Sequence, residues 1–163
     1  MAERRFWTFG VAAAVFSIDR ATKWLIETKV SVMDSYTIIP GFFDIVHSQN
    51  RGVAFGLFHE GASAARTLLL GGLSLVAILV IAGMLWRTGQ MDNRTAWGLA
   101  LILGGAAGNV FDRLMWGRVT DFLELYVRDF HWPTFNMADT AIVVGSGLLL
   151  IDLFKPRREA ART

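Results

Sequence analysis

The chain has 163 residues, a length that suits one domain, and 53% of them are hydrophobic. Together with a mean hydropathy of +0.42, this content exceeds what a soluble domain of this size usually carries and predicts an integral membrane protein. The net charge of only +2 argues against a nucleic-acid partner, and the absence of cysteine excludes disulfides and thiolate chemistry.

Four apolar segments predict helices that cross a bilayer whose core is about 30 Å thick. They lie at about residues 6–26, 67–86, 95–115 and 139–154. The first follows a basic start, as the apolar part of a cleaved signal peptide would. However, Asp19, Arg20 and Lys23 stand where a cleavage region should be small and neutral. We therefore interpret this segment as a retained helix.

The first span contains two opposite charges at helical spacing. Asp19 and Lys23 are four residues apart, so they share one helix face and are able to form an ion pair. Ionisable groups inside a span are functional candidates by default. The alternative is that the pair only fixes one helix against another.

Two more polar segments, about 28–65 and 116–138, separate the spans. The first contains β-branched and aromatic runs at 36–39 and 42–46 around Pro40-Gly41, which predict two short strands and a turn. Residues 57–65 are expected to form a short interfacial helix. In the second segment, aromatic residues suited to interface anchoring are Trp116, Tyr126 and Trp132.

The third span combines small and polar residues. Ala100, Gly104 and Gly108 recur every four residues, which permits close helix packing in lipid. At its end, one helix face carries an amide, a carboxylate and a guanidinium: Asn109, Asp112 and Arg113. Such groups are costly at membrane depth unless they have partners.

Basic residues determine the expected orientation. Those in the terminal segments and the short central loop fall on one side of a four-span arrangement: Arg4, Arg5, Arg87, Arg94, Lys155, Arg157, Arg158 and Arg162. By the positive-inside rule that side is the cytoplasm. The predicted fold is an all-α integral membrane protein, one membrane domain over residues 1–163, with four transmembrane helices and both termini inside. A small extracytoplasmic β-rich region and a short interfacial helix complete it.

Two carboxylates are the strongest candidates for chemistry. Asp121 is expected just after the third span and Asp139 just before the fourth, at the same depth as the polar groups of the first and third spans. Either Asp alone would be interpreted as a helix cap or turn residue. Their shared depth instead predicts one site near the outer interface. Two adjacent carboxylates resist ionising together and share a proton, which suits amide hydrolysis by an activated water.

Other catalytic classes have little support in the sequence. There is no cysteine and no Gly-x-Ser-x-Gly elbow for a covalent mechanism. His47, His59 and His131 are isolated, and no His-Glu-x-x-His motif is present, so no metal site and no cofactor are expected. We interpret these histidines as loop or interface residues.

Five motifs, in order and over nearly the whole chain, resemble the lipoprotein signal peptidases, also called signal peptidase II. They are DRATK at 19–23, NRGVAFG at 50–56, GGAAGNVFDR at 104–113, VTDF at 119–122 and FNMAD at 135–139. Arg20 stands where glutamine is more usual in the first motif.

The resemblance implies an aspartic endopeptidase of the bacterial inner membrane that removes the signal peptide from prolipoproteins, cutting before a cysteine that carries a diacylglyceryl group. Asp121 and Asp139 match the catalytic dyad, and Asp19 and Lys23 match a supporting polar pair. Residues that match the lining of the substrate site are Asn50, Gly52, Asn109, Arg113 and Asn136. Membrane lipid is expected around the protein, which is expected to be a monomer.

Two other classes of function stay open. Intramembrane Asp, Lys and Arg also build proton relays in transporters. No internal repeat is visible, however, and the polar groups are expected at one interface instead of the bilayer midplane. A non-enzymatic membrane scaffold is the second alternative, and in it Asp121 and Asp139 would be dispensable.

Overall fold

Four helices and a four-stranded antiparallel sheet make up the part of the chain that the computed structural model describes, residues 2–51, 64–87 and 91–154. The elements are α1 (Ala2–Lys29), β1 (Ser35–Ile39), β2 (Phe43–Asn50), α2 (Ala64–Trp86), α3 (Asn93–Trp116), β3 (Val119–Val127), β4 (Phe130–His131) and α4 (Met137–Leu153). The prediction of a helical protein with a small β region is confirmed.

The helices lie where the apolar segments predicted them. The first three predicted spans fall inside α1, α2 and α3, and the fourth begins inside α4 and extends one residue past its end. Over the residues that the structure describes, no helix combines the length and the apolar character needed to cross a membrane. Most of the predicted interfacial helix, residues 57–63, lies outside the described residues, while Ala64 and Ala65 belong to α2.

Helix α3 is the centre of the helical part and packs against α1, α2 and α4. Its small residues permit this. Ala100 is fully buried in an apolar cluster with Ala12 and Leu85, and a side chain at Gly104 would meet the backbone of α1. The predicted close packing along the Ala100, Gly104 and Gly108 face is thus confirmed.

The turn after α3 carries the chain into the sheet. Helix α3 ends at Gly117, which has a left-handed conformation with φ of 65°, and its N–H bonds to the carbonyl of Arg113. Glycine adopts this conformation without the steric cost of a Cβ atom. The chain then enters β3 at Val119, so Asp121, the third residue of this strand, follows closely on the end of α3.

The sheet has the order β1-β2-β3-β4. The predicted strands around Pro40-Gly41 form the β1–β2 hairpin. Strand β3 was not predicted, and it pairs with β2 so that Ser48 faces Asp121 and Asn50 faces Val119. This pairing brings the second sequence motif beside the fourth.

Candidate active site

The two candidate carboxylates lie where β3, α3 and α4 meet. Asp121 is in β3 and is only 2% exposed, and Asp139 is in the first turn of α4. The sequence placed Asp121 in a segment between two helices and Asp139 just before the last one. Asp121 does lie between α3 and α4, in strand β3, whereas the position of Asp139 needs correction, because α4 already begins at Met137.

Asn136 joins the two carboxylates. Its Nδ2 donates to Asp121 Oδ1 at 2.7 Å, and its Oδ1 accepts from the backbone N–H of Asp139 at 3.0 Å. Its own backbone N–H donates to Asp139 Oδ2 at 3.3 Å, which completes a capping box at the start of α4. Asn136 is fully buried. One side chain therefore sets both the start of α4 and the position of Asp121 relative to Asp139.

Two further asparagines hold the remaining carboxylate oxygens. Asn50 Nδ2 donates to Asp121 Oδ2 at 2.9 Å, and Asn109 Nδ2 donates to Asp139 Oδ1 at 2.8 Å. Each oxygen of the two carboxylates thus accepts one N–H bond. The sequence assigned Asn50, Asn109 and Asn136 to substrate binding; in this structure they contact the carboxylates, and their role toward substrate stays a prediction.

Burial raises the pKa of Asp121 to about 6, and the nearby charge of Asp139 acts in the same direction. The hydrogen bonds from Asn50 and Asn136 and the charge of Lys23 oppose this rise in pKa. A carboxyl group with this pKa exchanges its proton near neutral pH, as a general acid or base must.

A buried ion cluster supports the site from behind. Lys23 Nζ lies 2.7 Å from Asp19 Oδ2, 2.7 Å from Asp112 Oδ2 and 2.9 Å from Asn109 Oδ1. Asp19 and Lys23 are completely buried. Asp19 Oδ1 also accepts the backbone N–H of Ala138 at 2.9 Å, in the first turn of α4. The predicted pair is therefore connected to both helices that carry site residues.

Asp112 was not among the predicted site residues, although its spacing from Asn109 indicated a shared face. Arg113 lies near enough to both carboxylates for its charge to interact with them, and its Nη1 donates to the carbonyl of Asn109 at 3.2 Å. Gly52 lies outside the described residues. The site therefore unites every other residue that the sequence proposed.

Gly108→Ala is expected to disrupt the ion cluster. A Cβ at position 108 would lie 2.5 Å from Asp19 Oδ2, and this carboxylate is held on both oxygens. We expect a loss of about 1–3 kcal/mol in the free energy of unfolding, typical of overpacking, together with reduced activity. Thermal unfolding in detergent measures the first effect. Gly147→Ala is the control, because a Cβ there meets nothing within 4 Å; equal stability of the two variants would contradict the prediction.

Comparison with known proteins gives one consistent result. The family described as Signal peptidase (SPase) II matches residues 11–155. A lipoprotein signal peptidase of Solibacter usitatus is 62% identical over 161 residues, which cover 99% of this chain and 98% of the relative. One from a Sulfurihydrogenibium species is 39% identical over 151 residues, or 91% of this chain and 92% of the relative.

Two solved structures, both described as bacterial membrane enzymes, are similar to the whole fold. One has a TM-score of 0.83 and 25% identity, and covers 96% of this chain and 93% of its own. The other has a TM-score of 0.79 and 27% identity, and covers 91% of this chain and 93% of its own. The helices and the small sheet are therefore an arrangement already known among membrane enzymes.

Proposed function

We propose, because the chain belongs to the signal peptidase II family, that Asp121 and Asp139 are its catalytic pair. Membership makes the chain a peptidase that removes signal peptides from prolipoproteins. The bond it cuts precedes a cysteine that carries a diacylglyceryl group. The observation that carries the assignment of the pair is the double bridge of Asn136, which donates from its side chain to the buried carboxylate of Asp121 and from its backbone to the half-buried carboxylate of Asp139.

The pair works through one shared proton. The ionised carboxylate takes a proton from water while the water oxygen bonds to the scissile carbonyl carbon, and the protonated carboxyl gives its proton to the carbonyl oxygen. The C–N bond then breaks, the leaving amine receives the proton that was taken from water, and one hydroxyl of the new carboxyl group returns its proton to the carboxylate that acted as acid. The raised pKa of Asp121 allows it to hold the shared proton near neutral pH.

The asparagine amides keep this proton exchange local. Each of the four carboxylate oxygens accepts one N–H from a neutral amide, so both side chains are held in a single orientation. The cation Lys23 contacts Asn109 and not the carboxylates of the pair. The positive charge of Lys23 is therefore separated from Asp139 by the side-chain amide of Asn109. The pair can then keep the proton that its two carboxylates share.

The enzyme acts in the bacterial inner membrane as one multi-pass membrane domain. Its spans lie at about 6–26, 67–86, 95–115 and 139–154, with both termini in the cytoplasm and the site near the outer interface. Large apolar side chains exposed along the helices support lipid contact, among them Trp24, Leu79, Val80, Val143 and Ile151. A diacylglyceryl group anchored in the outer leaflet would then present its peptide bond at the depth of the carboxylates.

Substrate binding is assigned to Asn50, Gly52, Asn109, Arg113 and Asn136. Arg113 is suited to bind backbone carbonyls of the substrate, since its guanidinium offers several N–H donors in a fixed plane. The three asparagines would have this use in addition to holding the two carboxylates. The enzyme acts as a monomer, because four helices of one chain can enclose a site by themselves.

Arg113→Ala should weaken substrate binding while the protein stays folded. We expect KM to rise about tenfold, the loss of one charge-assisted hydrogen bond of about 1.5 kcal/mol, with a smaller change in kcat. Steady-state cleavage of a lipidated prolipoprotein measures both constants. Lys29→Ala, at an exposed position of α1, is the control and should leave KM unchanged. Loss of folded protein in detergent would instead show a structural role for Arg113.

The direct test of the function compares two substrates. Purified protein in detergent is incubated with a prolipoprotein whose cysteine carries diacylglyceryl and with the same protein lacking the lipid, and mass spectrometry identifies the products. We expect one cut, before the cysteine, in the lipidated substrate only. Cleavage elsewhere, or equal cleavage of both substrates, would contradict the proposed specificity.

A further inference from the structure

Arg20 occupies a position between the supports of the two carboxylates. Its Nη1 donates to Asp112 Oδ1 at 2.6 Å, and its side chain is 16% exposed. The guanidinium lies 4.5 Å from the ring centre of Trp116 and 5.8 Å from that of Phe111. Stacking on aromatic faces fixes the plane of a guanidinium and so directs its N–H groups. The residue is thus held rigidly beside the ion cluster.

The first support leads from Arg20 to Asp139. Asp112 is shared between Arg20 on one oxygen and Lys23 on the other. Lys23 donates to Asn109 Oδ1, which turns the amide so that Nδ2 faces Asp139. Reversing this amide would bring its NH₂ group against the ammonium, so the charge of Lys23 determines the bond to Asp139.

Charge balance makes Arg20 necessary in this chain. Asp19 and Asp112 are two buried carboxylates; the charge of Arg113 acts on Asp112, but Lys23 supplies one directly bonded cation for the two. Arg20 supplies the second. Without it, Asp112 would be a buried anion that competes with Asp19 and Asn109 for the three N–H groups of Lys23, and an uncompensated buried charge is strongly unfavourable.

The second support leads from Arg20 to Asp121. Arg20 Nη2 lies 3.8 Å from Oε2 of Glu27, which is about two turns further along α1. Glu27 Oε1 accepts the hydroxyl of Thr120 at 2.7 Å, and Thr120 directly precedes Asp121 in β3. This link is longer and more exposed than the first, so we expect a smaller contribution from it.

We propose that Arg20 is a positioning residue for catalysis, which holds the supports of both carboxylates through Asp112 and Glu27. The inference rests on the proposed function of Asp121 and Asp139, because it concerns the placement of that pair. It adds Arg20, Asp112 and Glu27 to the residues on which turnover depends, although none of them bonds to either carboxylate of the pair.

The test is a set of variants assayed by steady-state cleavage of a diacylglyceryl-modified prolipoprotein. Arg20→Met should lower kcat by about 10- to 100-fold, the effect of a displacement of about 1 Å at a reacting group, while KM changes less than threefold. Adding Asp112→Asn to Arg20→Met removes the uncompensated charge and should recover at least half of the lost factor on a logarithmic scale. Arg20→Lys keeps a cation beside Asp112 but loses the planar guanidinium with its several N–H donors, so kcat should fall only about three- to tenfold.

Arg5→Met is the matched control. Arg5 also lies over an aromatic ring, 5.2 Å from the ring centre of Trp86. It is fifteen positions earlier in the same helix, about 22 Å away at 1.5 Å per residue. The kcat of Arg5→Met should equal that of the wild type. This result would show that removing an arginine from a tryptophan ring does not by itself lower kcat.

Each outcome separates this inference from the proposed function. If wild type and Arg5→Met cleave and Arg20→Met keeps more than half of the wild-type kcat, the positioning role is wrong while the function stands. If adding Asp112→Asn recovers nothing, charge balance is wrong. Where Arg20→Met does not fold, Arg20→Lys decides, and a kcat within twofold of wild type overturns the inference. If wild type itself does not cleave, the proposed function is overturned and the inference with it.

Discussion

Asp121→Asn should lower kcat by about 10³-fold or more without unfolding the protein. The amide has nearly the shape of the carboxyl group but neither accepts nor delivers the shared proton, and general acid–base catalysis contributes about 10²–10⁴-fold. The loss should appear in kcat with little change in KM, because the substrate is still received by the other groups of the site. Steady-state cleavage of a lipidated prolipoprotein measures the two constants.

The same variant should change how stability depends on pH. The pKa of Asp121 is about 6 in the folded protein, above its ordinary 3.8, so the folded state binds the proton more tightly than the unfolded state. Stability from this proton is fully present below pH 3.8 and is lost as the pH rises through 6. Wild type should therefore lose up to about 3 kcal/mol between pH 4 and pH 8 that Asp121→Asn does not lose.

Unfolding in detergent at pH 4 and at pH 8 measures this difference. Asp44→Asn is the control, because Asp44 lies in the same sheet and accepts hydrogen bonds from Ser35 and Tyr126. Because Asp44→Asn keeps Asp121, its fall in stability between pH 4 and pH 8 should persist. Parallel stability curves for wild type and Asp121→Asn would contradict a raised pKa at residue 121, whatever the activity of the variant.

Asn136→Ala should have the next largest effect and should reduce both activity and stability. It removes the cap of α4, which costs about 1 kcal/mol, and it takes away the N–H donor of the buried Asp121 Oδ1, at a further cost of about 1–3 kcal/mol. Because the two carboxylates lose their common bridge, kcat should fall at least about 100-fold. Thermal unfolding and steady-state cleavage measure the two effects.

Asn136→Asp separates the cap from the bridge. An aspartate still accepts the backbone N–H of Asp139, so α4 keeps its cap, but it has no N–H for Asp121 and adds a like charge beside it. We expect activity as low as that of Asn136→Ala. Wild-type activity in Asn136→Asp would show that capping of α4, and not the link to Asp121, is what the enzyme needs.

Local patterns in the sequence predict most of the architecture. Long apolar runs predicted the four helices, and Pro40-Gly41 between two β-branched runs predicted the first hairpin. The spacing of Asp19 and Lys23 predicted a shared helix face, and the structure has their atoms at 2.7 Å. These features depend on residues near one another in the chain, which is why periodicity reveals them.

Long-range pairing could not be predicted in the same way. Asn50 and Asp121 meet because β2 pairs with β3 in a particular register, and Arg20 meets Asp112 because α1 packs beside α3. Residues 116–138 are predicted from the sequence only as a polar segment between two spans. Within it, Val119–Val127 contains the β-branched and aromatic residues typical of a strand. The interpretation of His47 as a loop residue was wrong. His47 lies buried in β2, and its Nδ1 donates to the carbonyl of Val30 at 2.7 Å.

The chemistry proposed for Asp121 and Asp139 depends on these long-range contacts more than on the two aspartates as residue types. Asp139 alone would serve as an acidic residue in the first turn of a helix, where its negative charge interacts favourably with the helix dipole. Asp121 alone would be a buried strand residue paired with an amide. The bridge through Asn136, the residue directly before α4, joins them in one unit.

The most direct measurement is cleavage of one diacylglyceryl-modified prolipoprotein by wild type, Asp121→Asn, Asp139→Asn and the control Asp44→Asn, each shown to be folded by thermal unfolding. Wild type and Asp44→Asn should release the signal peptide by a cut before the lipidated cysteine. Both variants of the pair should be folded and at least about 10³-fold slower. If either one, folded, keeps more than a tenth of the wild-type rate, the two carboxylates are not the catalytic pair.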